Sequence, residues 1–135
     1  MRYMLDTNIC VNLLRGRHDV ALAIDEHGLQ NCCISEITKA ELLFGQMLAI
    51  RRGAKSDSTM LNKFLESISV VSISDSLEFY AEEKDRLCAC GKLIEDFDLL
   101  IACSAVCNGC ILVSGNEVHM SRVKGIRLEN WIGRN

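Results

Sequence analysis

No proline occurs among the 135 residues, and there is no repeat and no low-complexity tract. Nothing marks a linker, so residues 1–135 read as one domain, long enough to bury an ordinary core. No apolar run approaches the roughly 18–20 residues that span a bilayer, and no long apolar segment opens the chain. A membrane role is excluded, and the expected location is cytoplasmic. No glycine stands in Asp6-Thr7-Asn8, where a dinucleotide-binding fold would place its phosphate-cradling turn. A global basic field is missing too, because the net charge is −3. Three local basic clusters remain: Arg15, Arg17 and His18; Arg51, Arg52 and Lys55; Arg122, Lys124 and Arg127. Each reads first as a solvated face and second as a phosphate track.

Cysteine is the opposite case, with eight in the chain. A secreted disulfide framework would want a signal segment and a smaller, loop-rich chain. Cys32, Cys33, Cys103 and Cys107 fall inside apolar runs, where a free thiol behaves as a small buried hydrophobe. Cys88-Ala-Cys90 with Cys107-Asn-Gly-Cys110 raises zinc, but the first pair is C-x-C and Cys107 lies in a helical pattern. Reduced, mostly buried thiols are the reading.

The organising stretch is Met4-Leu5-Asp6-Thr7-Asn8. A short apolar strand, 2–5, stops at an acid, and helical periodicity begins directly after it. In open α/β sheets, ligands bind at the carboxyl ends of the strands. Further strands are expected at 32–35, 70–73, 111–113 and 126–128. Helices are expected over 8–14, 20–26, 36–52 (with Ala40, Leu43, Met47 and Ile50 as its apolar face), a segment through Leu61, Phe64, Leu65 and Ile68, 77–91 and 98–106. Ser56 to Ser58 offer caps for the fourth helix. Asp75-x-x-Glu78 has the spacing of a capping box for the fifth. Short, continuously apolar strands alternating with helices imply a mostly parallel sheet covered on both faces, a three-layer α/β domain.

Three acidic positions can meet Asp6. Glu41 follows the second strand, and Thr38-x-x-Glu41 with Ile37 and Leu42 also fits a capping box and staple; spacing leaves cap and chemistry open. Asp98, with Asp96 two residues before it, opens an apolar helix, where one carboxylate would suffice for the helix dipole. Ser114-Gly115-Asn116 is a turn that falls on the same side of the sheet as Asp6. His119 reads as a surface residue. Clustered carboxylates are tolerable when protonated or bound to a cation. An all-oxygen donor set without histidine suits Mg²⁺ or Mn²⁺, and such sites handle phosphoryl oxygens.

Together, MLDTN at the start, ISEITKAELLFG in the middle, and IEDFDLLIACSA and ILVSGNEVHMSRVKGIRLENW towards the end resemble the PIN-domain ribonucleases of the VapC toxin type. The likeness runs from Tyr3 to Trp131. It implies a central parallel sheet, a Mg²⁺-dependent site hydrolysing RNA phosphodiester bonds, a homodimer and a VapB-type antitoxin. By that resemblance Asp6, Glu41 and Asp98 are the catalytic acids and Asp96 the fourth, with Asp6, Asp98 and Asp96 holding metal. Thr7 and Asn8 match the polar pair that orients the first acid and the water. Ser114 and Asn116 are supporting residues and also the departure, since the family turn is usually Thr-x-Asp or Thr-Asn-Asn. The implied reaction is hydrolytic: metal held by Asp6 and Asp98 binds a phosphate oxygen, and Glu41 orients the attacking water.

Asn8, standing where a haloacid-dehalogenase-type phosphatase needs its second acid, removes that rival. A receiver domain fails for want of paired acids and a late lysine. The alternative from another class is a catalytically weak PIN fold acting as an RNA- or protein-binding module, kept open by Asn116 in place of a charge. Leu42, Leu43, Phe44 and Met47 leave the 36–52 helix without a wholly polar face. That face suits either an antitoxin helix or ordinary core or dimer packing.

Overall fold

The computed structural model describes residues 2–53 and 58–133. Its central strand is the first one, β1 (Tyr3–Leu5). β1 pairs in parallel with β2 (Cys32–Ser35) on one side and with β4 (Ile111–Val113) on the other. β3 (Ser69–Val71) and β5 (Leu128–Glu129) form the edges, giving the all-parallel order β3-β2-β1-β4-β5.

The helices are α1 (Thr7–Leu14), α2 (His18–His27), α3 (Glu36–Arg51), α4 (Thr59–Ser67), α5 (Leu77–Ala89), α6 (Asp96–Cys107) and the short α7 (Glu117–Met120). Among the described residues, none is long and apolar enough to cross a membrane.

Alternate residues of a strand point to opposite faces, so a strand buried on both faces must be apolar throughout. Met4, Cys33 and Leu112 face one core, packed with Leu87 of α5 and Leu99 and Ile101 of α6. Leu5, Ile34 and Val113 face the other, packed with Ile9 of α1, Val20 and Ile24 of α2 and Phe64 of α4. These strands have only three or four residues, so their hydrogen bonds are few. Full burial of each large side chain is worth about 1.5–3 kcal/mol, and that term holds β1 in place.

The strand order reverses between β2-β1 and β1-β4, which opens a crevice at their carboxyl ends. Asp6 is the first residue past β1 at that crevice.

Several expected details shift. The capping box expected at Asp75-x-x-Glu78 does not form: a 3₁₀ turn, Ser74–Ser76, leads into α5, and Ser76 makes no side-chain cap. Ser58 likewise makes no cap to α4, and residues 54–57, with Lys55 and Ser56, lie outside the described residues. Cys107 is exposed, whereas Cys32, Cys33 and Cys103 are buried as expected, and the eight thiols are free. The apolar face of α3 is turned to solvent. Leu43, Met47 and Ile50 are 43%, 64% and 52% exposed, and Phe44 is 62% exposed, so of the two uses left open for this face, packing in the chain's own core is removed. The buried α3 residues are Thr38 and Leu42.

One buried charge ties α5 to the chain after α7. Glu83 is 3% exposed, receives a two-pronged bond from Arg86 at 2.8 and 2.9 Å, and accepts from the Lys124 backbone N–H at 2.7 Å. Arg86 also donates to the Arg122 carbonyl. Arg122 and Arg127 donate to backbone carbonyls in turn, so two members of that basic cluster serve the fold.

Arg86 hydrogen bonds, above all, hold the Glu83 carboxyl below its ordinary range. Its stabilising contribution is therefore present above the unfolded-state pKa and is lost as pH falls through the folded one. Glu83→Gln should cost about 1–2 kcal/mol at neutral pH, discounted for the half-exposed arginine, and less at low pH. Urea midpoints of both proteins across the acid range check this; parallel curves would remove Glu83 from the account.

Candidate active site

Asp6 sits at the end of β1 and caps α1, with Oδ1 accepting from the Thr7 backbone N–H at 2.8 Å. Its Oδ2 accepts from the Ser114 hydroxyl at 2.7 Å, and Asp6 as a whole is only 3% exposed. Strand pairing between β1 and β4 fixes this contact, because Ser114 follows Val113, the partner of Leu5. The Ser114 hydroxyl also accepts from the Asn116 backbone N–H. Ser114 thus secures Asp6 directly.

Glu41 lies on α3, two turns beyond β2. Of the two readings left open, the cap is removed: Ser35 caps α3 by accepting from the Ile37 N–H, which places Thr38 and Glu41 inside the helix. Glu41 Oε1 accepts from the Thr7 hydroxyl at 2.6 Å, and the Thr38 hydroxyl lies 3.1 Å from Thr7. Thr38, fully buried, is a site residue that its spacing presented as a cap. Thr7 therefore orients Glu41 with its hydroxyl and Asp6 with its backbone. Asn8 acts elsewhere, since its Oδ1 accepts from the Gly115 N–H at 3.3 Å and joins α1 to the turn after β4. A Cβ at Gly115 would stand 3.1 Å from Ile132 Cδ1, so the turn sits close against the chain end.

Asp98 is the third residue of α6 and points into the crevice. Asn116 donates to Asp98 Oδ2 at 3.3 Å, and Asn116 Oδ1 accepts from His119 Nδ1 at 2.7 Å. With the Asn116 amide nitrogen committed to Asp98, His119 must carry its proton on Nδ1. His119 is therefore linked to the site through Asn116, which its placement on a short surface helix did not signal.

Asp6, Glu41, Asp98 and Asn116 line one open cleft of about 480 Å³ with Thr7, Asn8, Asn12 and Arg15. Asp96 is not among them. Its carboxylate accepts from Lys84 at 2.8 Å and Tyr80 at 2.7 Å, both on α5. One α-helical residue is turned by about 100° from the next, so positions two apart face away from each other. The structure thus leaves Asp96 outside the cleft.

Burial pushes the Asp6 carboxyl up to about 6, against the pull of Ser114 and Thr7, with the charges of Asp98 and then Glu41 adding to the rise. Burial and then Glu95 raise Asp98, opposed by His119 and Asn116. The acids are near enough to repel, and among the described residues none of the three has an ion-pair partner.

Among the described residues, no three such side chains already form a closed metal cage. Mg²⁺ does not require one, because it keeps several waters and binds through one or two carboxylates plus substrate phosphates. The all-oxygen donors of Asp6 and Asp98, with their raised pKa values, fit a hard divalent cation of this kind.

The protein-family model for the PIN domain matches residues 3–126. The chain belongs to the PIN-domain family. Ribonuclease VapC2 of Rickettsia felis is 33% identical over 134 residues, covering 97% of this chain and 98% of that protein. Ribonuclease VapC2 of Haemophilus influenzae is 31% identical over 133 residues, covering 98% and 99%. The crystal structure of VapBC2 from Rickettsia felis bound to a promoter DNA fragment matches with a TM-score of 0.85 at 30% identity, covering 97% of this chain and 99% of that one. This PIN domain is of the VapC type, with the parallel five-stranded sheet of those structures.

The raised carboxyl of Asp6 sets a pH dependence for the metal-free protein. Its folded pKa lies above the unfolded value, so its contribution is full below the unfolded pKa and is lost as pH rises to about 6. A rise from 3.8 to about 6 corresponds to roughly 3 kcal/mol. In EDTA, Asp6→Asn should flatten the stability curve between pH 4 and 6 and be the more stable protein at pH 7. Denaturant midpoints measure this, and a wild-type curve unchanged by the substitution would contradict the stated burial cost.

Proposed function

We propose that this PIN domain is a Mg²⁺- or Mn²⁺-dependent endoribonuclease toxin that hydrolyses RNA phosphodiester bonds and is held inactive by a VapB-type antitoxin. The observation that carries the reading is the meeting of Asp6, Glu41 and Asp98, from three separate elements, in one cleft where none of them is ion-paired among the described residues. Near-full-length relatives named VapC ribonucleases support the reaction class.

Asp6 and Asp98 would hold the cation, which supplies positive charge for phosphoryl oxygens and lowers the pKa of a water. Thr7 fixes Glu41 through Oε1, which leaves Oε2 as the oxygen to accept a proton from a water aligned for in-line attack. Ser114 and the Thr7 N–H keep Asp6 in one rotamer, and Asn116 does the same for Asp98.

The purified protein should cleave RNA with Mg²⁺ or Mn²⁺ and stop in EDTA. Asp98→Asn and Glu41→Gln should each lose about 10²–10³-fold, the scale of one preorganised group. Asp96→Asn should keep most of its activity. Cleavage surviving EDTA would overturn the mechanism, and RNA binding without cleavage would favour the binding-module alternative.

The antitoxin reading rests on surface. Val11, Leu14, Leu42, Ala49, Met60 and Leu61 line a groove between α1, α3 and α4 that also contains Arg15 and Glu41. Phe44 and Met47 stand exposed on α3, which leaves apolar surface open for a partner helix. A homodimer belongs to the same proposal, with exposed Leu93 and Phe97 as its candidate apolar surface. Charge at Phe44, as Phe44→Asp, should weaken antitoxin binding roughly tenfold or more while leaving the melting temperature unchanged. Unaltered affinity in a calorimetric titration would return Phe44 to dimer packing.

A further inference from the structure

Among the described residues that line the cleft, one is cationic. Arg15 lines it together with Asp6, Glu41 and Asp98. Among the described residues the Arg15 side chain makes no ion pair and no hydrogen bond. Arg17, Lys84 and Arg86 all have carboxylate partners, and Arg122 and Arg127 donate to carbonyls. The Arg15 guanidinium is thus left open to a ligand at the cleft. Three acids share its cleft, yet it pairs with none of them, and Glu41 is turned to Thr7 instead.

The backbone fixes where this cation stands. α1 is capped by Asp6 at its start and ends at Arg15, its C-cap. Gly16, at φ 81°, closes the helix, with the Arg17 N–H donating to the Asn12 carbonyl and the Gly16 N–H to Leu13. This left-handed closing residue stops the helix at one defined position. Arg15 lies nine positions after Asp6, about 13 Å along a helix axis. Side chains on a helix lean back towards its N-terminus, here towards the acids. A guanidinium so placed overhangs the rim of the cleft, out of contact with the carboxylates.

We infer that Arg15 anchors the substrate by binding a backbone phosphate one or two nucleotides away from the scissile one. The inference rests on the ribonuclease reading and assigns that site its electrostatic counterpart. Three carboxylates repel a polyanion until a cation is bound, so a fixed positive charge outside the metal's position is needed to hold the strand. Guanidinium matches phosphate oxygens in a two-pronged fashion.

Binding is read first, in the full chain carrying Asp98→Asn to block turnover, with a single-stranded RNA of about ten nucleotides. Adding Arg15→Ala should weaken affinity roughly tenfold, the scale of one charge-assisted contact. It should also lower the slope of log K against log salt by about 0.7, one single-strand phosphate. Arg15→Lys should restore the slope, and Arg17→Ala, whose arginine pairs with Asp19, should leave it unchanged. In the otherwise wild-type chain, Arg15→Ala should raise KM with little change in kcat. An RNA with a neutral methylphosphonate at the contacted position should make the wild type behave like Arg15→Ala. Equal melting temperatures confirm that the fold is intact.

An unchanged salt slope and KM in Arg15→Ala would overturn the inference, as would a loss confined to antitoxin binding. If no RNA is cleaved by the wild type under any metal, the ribonuclease reading fails, while the salt slope still decides the role of Arg15.

Discussion

Everything in the cleft depends on one buried carboxylate. Asp6 leaves the central strand at the point where the strand order reverses, and hydrogen bonds from Thr7 and Ser114 hold it almost out of water. Burial and two neighbouring acids both oppose its charge, so the folded chain carries a cost at its own centre. A structural acid would be paired with a base, as Glu83 is with Arg86. Asp6 is held by neutral donors only, which fix its position without neutralising it.

The other acids come from different elements, and each has its own support. Thr7 reaches across from α1 to Glu41 on α3, while Asn116, backed by His119, reaches Asp98 on α6. The turn after β4 serves two acids at once, through the Ser114 hydroxyl and the Asn116 amide. This explains how a Ser-Gly-Asn turn serves where the family more often places a charge. The turn contributes orientation, and the three carboxylates supply the negative field. Arg15 adds a positive charge at the rim, at the end of the same helix that Asp6 begins.

Much of this was legible in the residues, for physical reasons that also explain the failures. The strands were readable because burial on both faces demands continuous apolar runs, as at Leu5, Ile34 and Val113. Asp6 and Asp98 were readable as crevice positions because one follows a strand and the other opens a helix, whereas spacing alone left Glu41 open between a cap and the cleft. Asp96 misled because proximity in sequence does not give a shared direction on a helix, and Lys84 and Tyr80 draw it away. Thr38 and Glu41 looked like a cap because the spacing fits one, yet Ser35 had already started the helix. The use of the α3 stripe stayed open in the sequence because periodicity reports an apolar face without saying whether it meets this chain's core or solvent. Arg15 and His119 carried no signal beyond ordinary surface charge, and only the folded arrangement sets them beside the acids.

We propose that the carboxylate cluster, unfavourable alone, is satisfied by a divalent cation. Thermal melts of the wild type and of Asp98→Asn, in EDTA and across a Mg²⁺ titration, test it most directly. At tenfold excess over Kd, Mg²⁺ should stabilise the wild type by about 1.4 kcal/mol. For a domain of this size that is a rise of roughly 3–6 °C. Asp98→Asn should melt no lower than the wild type in EDTA and gain much less from Mg²⁺. Equal Mg²⁺ shifts in the two proteins, or a variant markedly less stable in EDTA, would contradict the account.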